Sequence, residues 1–139
     1  MADARAAARA KVDPRLRKVE AELRRFALSY PAVWEDNPWG ERVAKVGRKV
    51  FVFLGKADTG LSITVKLPRS ATLALGLPFT SPTGYGLAKS GWVTSQFDPG
   101  TRPPTEVLKQ WIDESDRAVA SRKLVKILDE RPVPTSHRR

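Results

Sequence analysis

No cysteine occurs anywhere in the 139 residues, and there is only one histidine and one methionine. The absent thiols exclude a disulfide framework and a thiolate metal site, and they fit an intracellular, cytoplasmic setting. The lone histidine, His137, lies two residues from the C-terminal end of the sequence. It cannot assemble a Ser-His or Cys-His nucleophile system within a folded body, nor a Cys/His zinc centre. No apolar run approaches the roughly 18 residues needed to span a membrane. Residues 2–10 alternate alanine with Arg5 and Arg9 and lack the apolar centre of a signal peptide, so no secretory leader is expected. Carboxylates are also scarce: 15 Asp and Glu face 25 Lys and Arg, a net charge of +10.

What is present describes one modest globular unit. Hydrophobic residues make up 41% and charged residues 29%, the balance of an ordinary soluble domain. The positive excess is uneven. Residues 1–25 and 121–139 each carry a net +4, leaving +2 for the long middle. Such a potential favours nucleic acid or another polyanion, and it equally suits basic ends that serve solubility. The expected organisation is a basic Ala/Arg-rich stretch over 1–12, a single domain over 13–128, and a basic disordered tail over 129–139.

Local patterns supply the elements. Asp13-Pro14 is a helix start, a capping carboxylate followed by proline at the first helical position. Leu16, Val19, Leu23, Phe26 and Tyr30 then recur at spacings of three and four, and Pro31 stops the helix. A short extended piece and a turn follow over 34–40. Segments 41–46 and 49–54 read as strands joined by Gly47-Arg48, a glycine-first pair suited to a type II′ hairpin. The uninterrupted apolar run 50–54 suits a central strand covered on both faces. Strict alternation over 61–67 marks a strand with one wet face. A short helix is expected over 69–75, a Gly/Pro/Ser/Thr-rich loop over 79–91, and a strand over 92–97. Pro103-Pro104-Thr105 starts a long helix with Leu108, Trp111, Ile112, Ser115 and Val119 on one side, and Ser121 caps a last helix over 122–128. Hairpins and a polar strand face imply an α+β two-layer sandwich, an antiparallel sheet packed against N- and C-terminal helices.

Catalytic and nucleotide motifs fail on inspection. Glu35 and Asp36 are adjacent, so on an extended segment they point to opposite faces and do not form an acid/base pair. Lys89-Ser90 has Ala88 and Thr83 where a phosphate-binding loop needs glycine. Gly84-Tyr85-Gly86 also fails the dinucleotide fingerprint, because Lys89 stands at the third glycine position. No metal and no cofactor are expected, and the chain reads as non-enzymatic.

Three ordered groups of residues carry a resemblance. The first is Trp34-Glu35-Asp36 with Trp39-Gly40, continued by the run from Lys45 through Gly47-Arg48-Lys49 to Phe51. The second is Gly84-Tyr85 with Lys89 and Trp92-Val93, and the third is Ile112-Asp113-Glu114-Ser115 with Arg117-Ala118-Val119. Together, over about residues 14–128, the chain resembles the MmcQ/YjbR family. The resemblance implies a secretion-chaperone-like α+β domain of a family commonly labelled DNA-binding and not known to share one reaction.

On that reading the contacts to DNA are Lys45, Arg48, Lys49, Lys66, Tyr85, Lys89 and Trp92. Arg48 and Lys49 sit at a hairpin tip, Lys45 and Lys66 on strands, and Lys89 in the glycine loop, where lysines meet phosphates without reading sequence. Tyr85 and Trp92 offer faces on which an unpaired base stacks. A tryptophan that begins a strand more often anchors a core, and Trp34 and Trp111 are read as packing residues too. Two alternatives stand beside DNA: a protein-interaction or homodimerising module, and a small-ligand pocket under 79–91 lined by Tyr85, Trp92 and Trp39.

Overall fold

The computed structural model describes residues 13–38, 42–55 and 60–131. The expectations for 1–12, 39–41, 56–59 and 132–139 therefore lie outside the described residues. Helix α1 (Pro14–Leu28) leads into β1 (Val33–Asp36), β2 (Arg42–Val46), β3 (Lys49–Gly55) and β4 (Leu61–Lys66). A single turn, α2 (Ala71–Ala74), precedes β5 (Thr80–Pro82), a 3-10 turn (Leu87–Ser90) and β6 (Trp92–Phe97). Helices α3 (Thr105–Val119) and α4 (Arg122–Asp129) complete the order. All six strands form one antiparallel sheet, β1-β2-β3-β4-β6-β5. The α+β sandwich read from the sequence is the fold. No described helix is long and apolar enough to cross a membrane.

The helix starts follow their caps. Asp13 Oδ1 accepts from the Arg15 amide at 2.9 Å, and Oδ2 accepts from the Gly100 amide at 2.9 Å. These bonds, led by the one from Gly100, hold the Asp13 carboxyl below the usual range. One side chain thus starts α1 and ties it to the turn after β6. The helix ends at Ser29, before Pro31, and Tyr30 lies beyond it. Ser121 caps α4 as expected, accepting from the Leu124 amide at 3.3 Å.

Strand periodicity decides which residues meet the helices. Ala44, Val46, Leu54, Leu61, Ile63, Val65, Val93 and Phe97 join Leu23, Leu108 and Ile112 in one core between the sheet and the pair α1/α3. The intervening residues form the other, open face. Two elements depart from expectation. The helix over 69–75 shrinks to Ala71–Ala74, and part of the 79–91 loop is the edge strand β5. That strand carries no sequence signal of its own. It is recruited because Phe79 packs on Phe97 with ring centroids 4.8 Å apart, and proline is tolerated at its end because the edge is unpaired there.

The apolar run 50–54 also has a different cause from the one expected. Ala44 pairs with Val52 but Lys45 pairs with Val50, so Phe51 is an extra residue on β3, a bulge. Phe51 and Val52 consequently both enter the helix-side core, whereas Val50 and Phe53 lie on the open face. The bulge leaves backbone groups without strand partners, and α3 supplies the replacement. Ser115 Oγ donates to the Phe51 carbonyl at 2.5 Å and accepts from the Lys66 amide at 2.9 Å. Ser115 is fully buried. Ser115→Ala would leave both backbone groups dry and unpaired, so we expect a loss of about 2–4 kcal/mol in urea unfolding, more than a buried Ser→Ala change would cost from packing alone.

Candidate functional site

Antiparallel order gathers the sequence-derived candidates at one end of the sheet. Chain reversal at Gly47-Arg48 puts the tip of the β2–β3 hairpin there. Strand β4 runs back toward that tip and ends on Lys66, and Lys66 pairs with Trp92, the first residue of β6. The 3-10 turn holding Lys89 feeds directly into Trp92. Lys45, Lys66 and Trp92 share the open face, and Arg48, Lys49, Tyr85 and Lys89 project from the same end.

Backbone geometry fixes these positions. Gly47 has φ +63°, the left-handed first position that a type II′ turn requires. Its amide donates to the Ala32 carbonyl at 3.2 Å, and its carbonyl accepts from Trp34 Nε1 at 2.7 Å, so the tip is fastened to β1 from both sides. At the other loop, Gly91 has φ +89°, and a Cβ there would stand 3.3 Å from the Leu67 carbonyl. That close approach lets the Gly91 carbonyl accept from the Leu67 amide at 2.8 Å. The turn bearing Lys89 is thereby pinned to the end of β4, where Lys66 stands.

Charge on this surface is one-sided. Lys45 is not free: its Nζ lies 2.8 Å from Asp36 and 5.2 Å from the centre of the Trp34 ring. The Lys45 contact is also the main reason the Asp36 carboxyl is held below the usual range. Among the described residues, Arg48, Lys49, Lys66 and Lys89 have no ion-pair partner. Asp36 is the one carboxylate that the described strands place on the open face. Glu35 points to the helix side, as adjacent strand residues must, where it pairs with Arg24 and Arg42. A second basic group, Arg122, Lys123 and Lys126, lies on α4, as the helix expected over 122–128 implies, and has no ion-pair partner among the described residues.

The aromatic residues divide differently from the expectation. Trp111 is buried, as read. Trp34 is 46% exposed, because β1 is an edge strand and its outer side has no covering layer among the described residues. Trp92 is half-buried on the open face, edge-on to Phe53 with centroids 5.6 Å apart. Tyr85 is fully exposed and holds φ +60°, so it lines no pocket beneath its own loop. Trp39, the third residue of that expected pocket, lies outside the described residues.

The model of the YjbR family matches residues 28–117, from the end of α1 to the last turns of α3. Among solved structures, the fold is similar to the crystal structure of Deinococcus radiodurans protein DR2400, described with the domain DUF419. That similarity has a TM-score of 0.60 at 22% identity, covering 78% of this chain and 86% of the other. At this identity it speaks for the fold alone. No curated protein matches.

Several residues in the matched segment take roles that the sequence did not announce. Glu114 accepts from the amides of Arg69 and Ser70 at 2.8 and 3.0 Å and from Ser70 Oγ at 2.6 Å, so it caps the turn before α2. Asp113 accepts from Tyr30 Oη at 2.6 Å and pairs with Arg117, which also meets Asp129 at 2.6 Å. Burial first, and Asp113 second, push the Tyr30 hydroxyl upward, so it stays a donor. Asp116 is 2% exposed, and its Oδ1 has no hydrogen-bond partner among the described residues. Burial, aided by Asp113, raises its pKa from 3.8 to about 6. Periodicity could have flagged Asp116, which stands beside Ser115 on the inner side of α3.

A carboxyl whose folded pKa lies above its unfolded value binds its proton more tightly in the folded state. Its contribution is therefore full below about pH 4, is lost as pH rises, and is gone above about pH 6. Asp116→Asn should remove that loss. Urea unfolding at neutral pH should show a gain of about 1–3 kcal/mol, falling toward zero near pH 4.

Proposed function

This chain belongs to the YjbR family, and from the cations that its fold gathers at one end of the sheet, without ion-pair partners among the described residues, we propose that it is a non-enzymatic DNA-binding protein. Binding is mainly electrostatic and weakly selective for sequence. The observation that carries this reading is the grouping of Arg48, Lys49, Lys66 and Lys89 without ion-pair partners among the described residues. Phosphates meeting such a group release condensed counterions, and that release drives association without any contact to base edges. Rigid backbone anchoring of both loops supports it, since the backbone that bears the cations need not be ordered on binding.

A protein-interaction module draws less support. The two sheet edges are four and three residues long, and Pro82 terminates one of them, which leaves little backbone for an added strand.

Fluorescence anisotropy of a labelled duplex across a salt series tests the reading. Affinity should fall linearly on a log–log plot with a slope of about −0.9 per phosphate engaged. Lys89→Ala and Arg48→Ala should each flatten that slope by about 0.9, whereas the double change Lys123→Ala/Lys126→Ala on α4 should leave it within error. A wild-type chain that binds no duplex at low salt would sink the duplex arm outright. Equal slopes for all variants would move the contact elsewhere.

A further inference from the structure

Phosphate contacts alone give no reason for the aromatic side of this surface. Trp34 is 46% exposed, yet it is held at two points, by Nε1 on the Gly47 carbonyl and by Lys45 Nζ against its ring. A side chain placed only to pack would be covered, and one placed only for solubility would be loose. Trp92 stands on the same face, braced edge-on by Phe53 across β4. Tyr85 is more unusual still. It is entirely in solvent, and its backbone is at φ +60°, a region that non-glycine residues avoid unless the surroundings enforce it.

Spacing and polarity indicate what these rings meet. Trp34 on β1 and Trp92 on β6 are four strand spacings apart, about 19 Å across the sheet. Between them the open face offers Lys45 and Lys66, while the buried Thr64 hydroxyl is engaged with that of Thr94 at 2.9 Å. Its one carboxylate, Asp36, is neutralised by Lys45, and Arg48 and Lys89 stand unpaired at the rim among the described residues. In a duplex the base faces are stacked away inside, so rings on a flat sheet cannot reach them. In an unpaired strand every base offers a face, and a basic rim tracks the phosphates.

We propose that the open sheet face binds single-stranded nucleic acid, with bases laid on Trp34, Trp92 and Tyr85 and phosphates on Arg48, Lys66 and Lys89. This rests on the nucleic-acid reading above and replaces the duplex with the unpaired strand as the preferred form. The occupant follows from charge complementarity together with stacking surface, and both are present on the one face.

The test uses the full chain with three labelled probes of equal length: oligo-dT, oligo-rU and a duplex, in the same buffer. Single strand should bind at least about tenfold tighter than duplex. Trp34→Ala and Tyr85→Gly should each weaken single-strand binding by about 5- to 150-fold and leave duplex binding within about twofold. Tyr85 is fully exposed and glycine there relieves the backbone, so Tyr85→Gly spares the fold; Trp34→Ala also removes the bond to the Gly47 carbonyl, and Trp34→Phe, which loses that bond and keeps the ring, should retain most of the affinity. A preference for oligo-dT or oligo-rU says which of the two strands is favoured, and either supports the proposal. Equal affinity for strand and duplex, unmoved by Trp34→Ala and Tyr85→Gly, overturns this inference and leaves the electrostatic reading standing. Binding to neither form overturns both. A concentration-dependent dimer that buries Trp34 and excludes oligonucleotide also overturns it.

Discussion

One buried hydroxyl holds the two layers in register. Ser115 Oγ reaches from α3 into the gap opened by the Phe51 bulge and satisfies a carbonyl of β3 and an amide of β4 together. Each unpaired buried backbone group would cost about 1–3 kcal/mol against a total stability of about 5–15 kcal/mol for a domain of this size. The bulge is therefore tolerable only with the serine, and the serine is useful only at the bulge. Its chain neighbours extend the same clasp. Glu114 caps the turn leading into α2, and Asp113 binds the tyrosine that follows α1. The third group of residues that carries the family resemblance is thus a structural joint, which orients the sheet without entering the candidate site.

With the helices committed to one face, the other carries Lys45, Lys66 and Trp92 outside the helix-side core. The division of charge follows this layering. On the helix side, Glu35 meets Arg24 and Arg42, Glu20 meets Arg42, and Glu22 meets Lys109. Carboxylates are consumed where they stitch α1 to the sheet and to α3. The open end keeps its cations because, among the described strand residues, only Asp36 brings a carboxylate to that face. A modest net charge in the middle of the chain therefore becomes a concentrated potential at one place, which composition alone does not convey.

The helices were legible because each carries its own start signal and period: Asp13-Pro14, Pro104-Thr105 and Ser121 need no distant partner. The β2–β3 hairpin was legible from Gly47-Arg48 for the same reason, and with it the shared location of Arg48 and Lys49. Tertiary choices were not. Strand β5 exists because Phe79 finds Phe97, and nothing in Thr80–Pro82 announces a strand. The bulge at Phe51 hides in a run of apolar residues that a central strand explains equally well. Trp34 looked like a packing residue because only the strand order shows that β1 is an edge. The pairing of Lys45 with Asp36, which removes one cation from the expected set, likewise depends on the β1–β2 register.

That edge strand has a consequence for how the domain closes. Along Val33–Asp36 the residues alternate between the two faces, and each of the last three finds a distinct partner: Trp34 with the hairpin tip, Glu35 with Arg24 and Arg42, Asp36 with Lys45. Sliding β1 by one residue would turn the indole under α1, leave two arginines facing it without a counter-ion, and present Glu35 to the outer side. Misthreading is thus penalised simultaneously in shape and in electrostatics. A four-residue strand at a sheet margin would ordinarily be free to drift, but this one works like a key cut on both edges, seating in a single position and refusing the others.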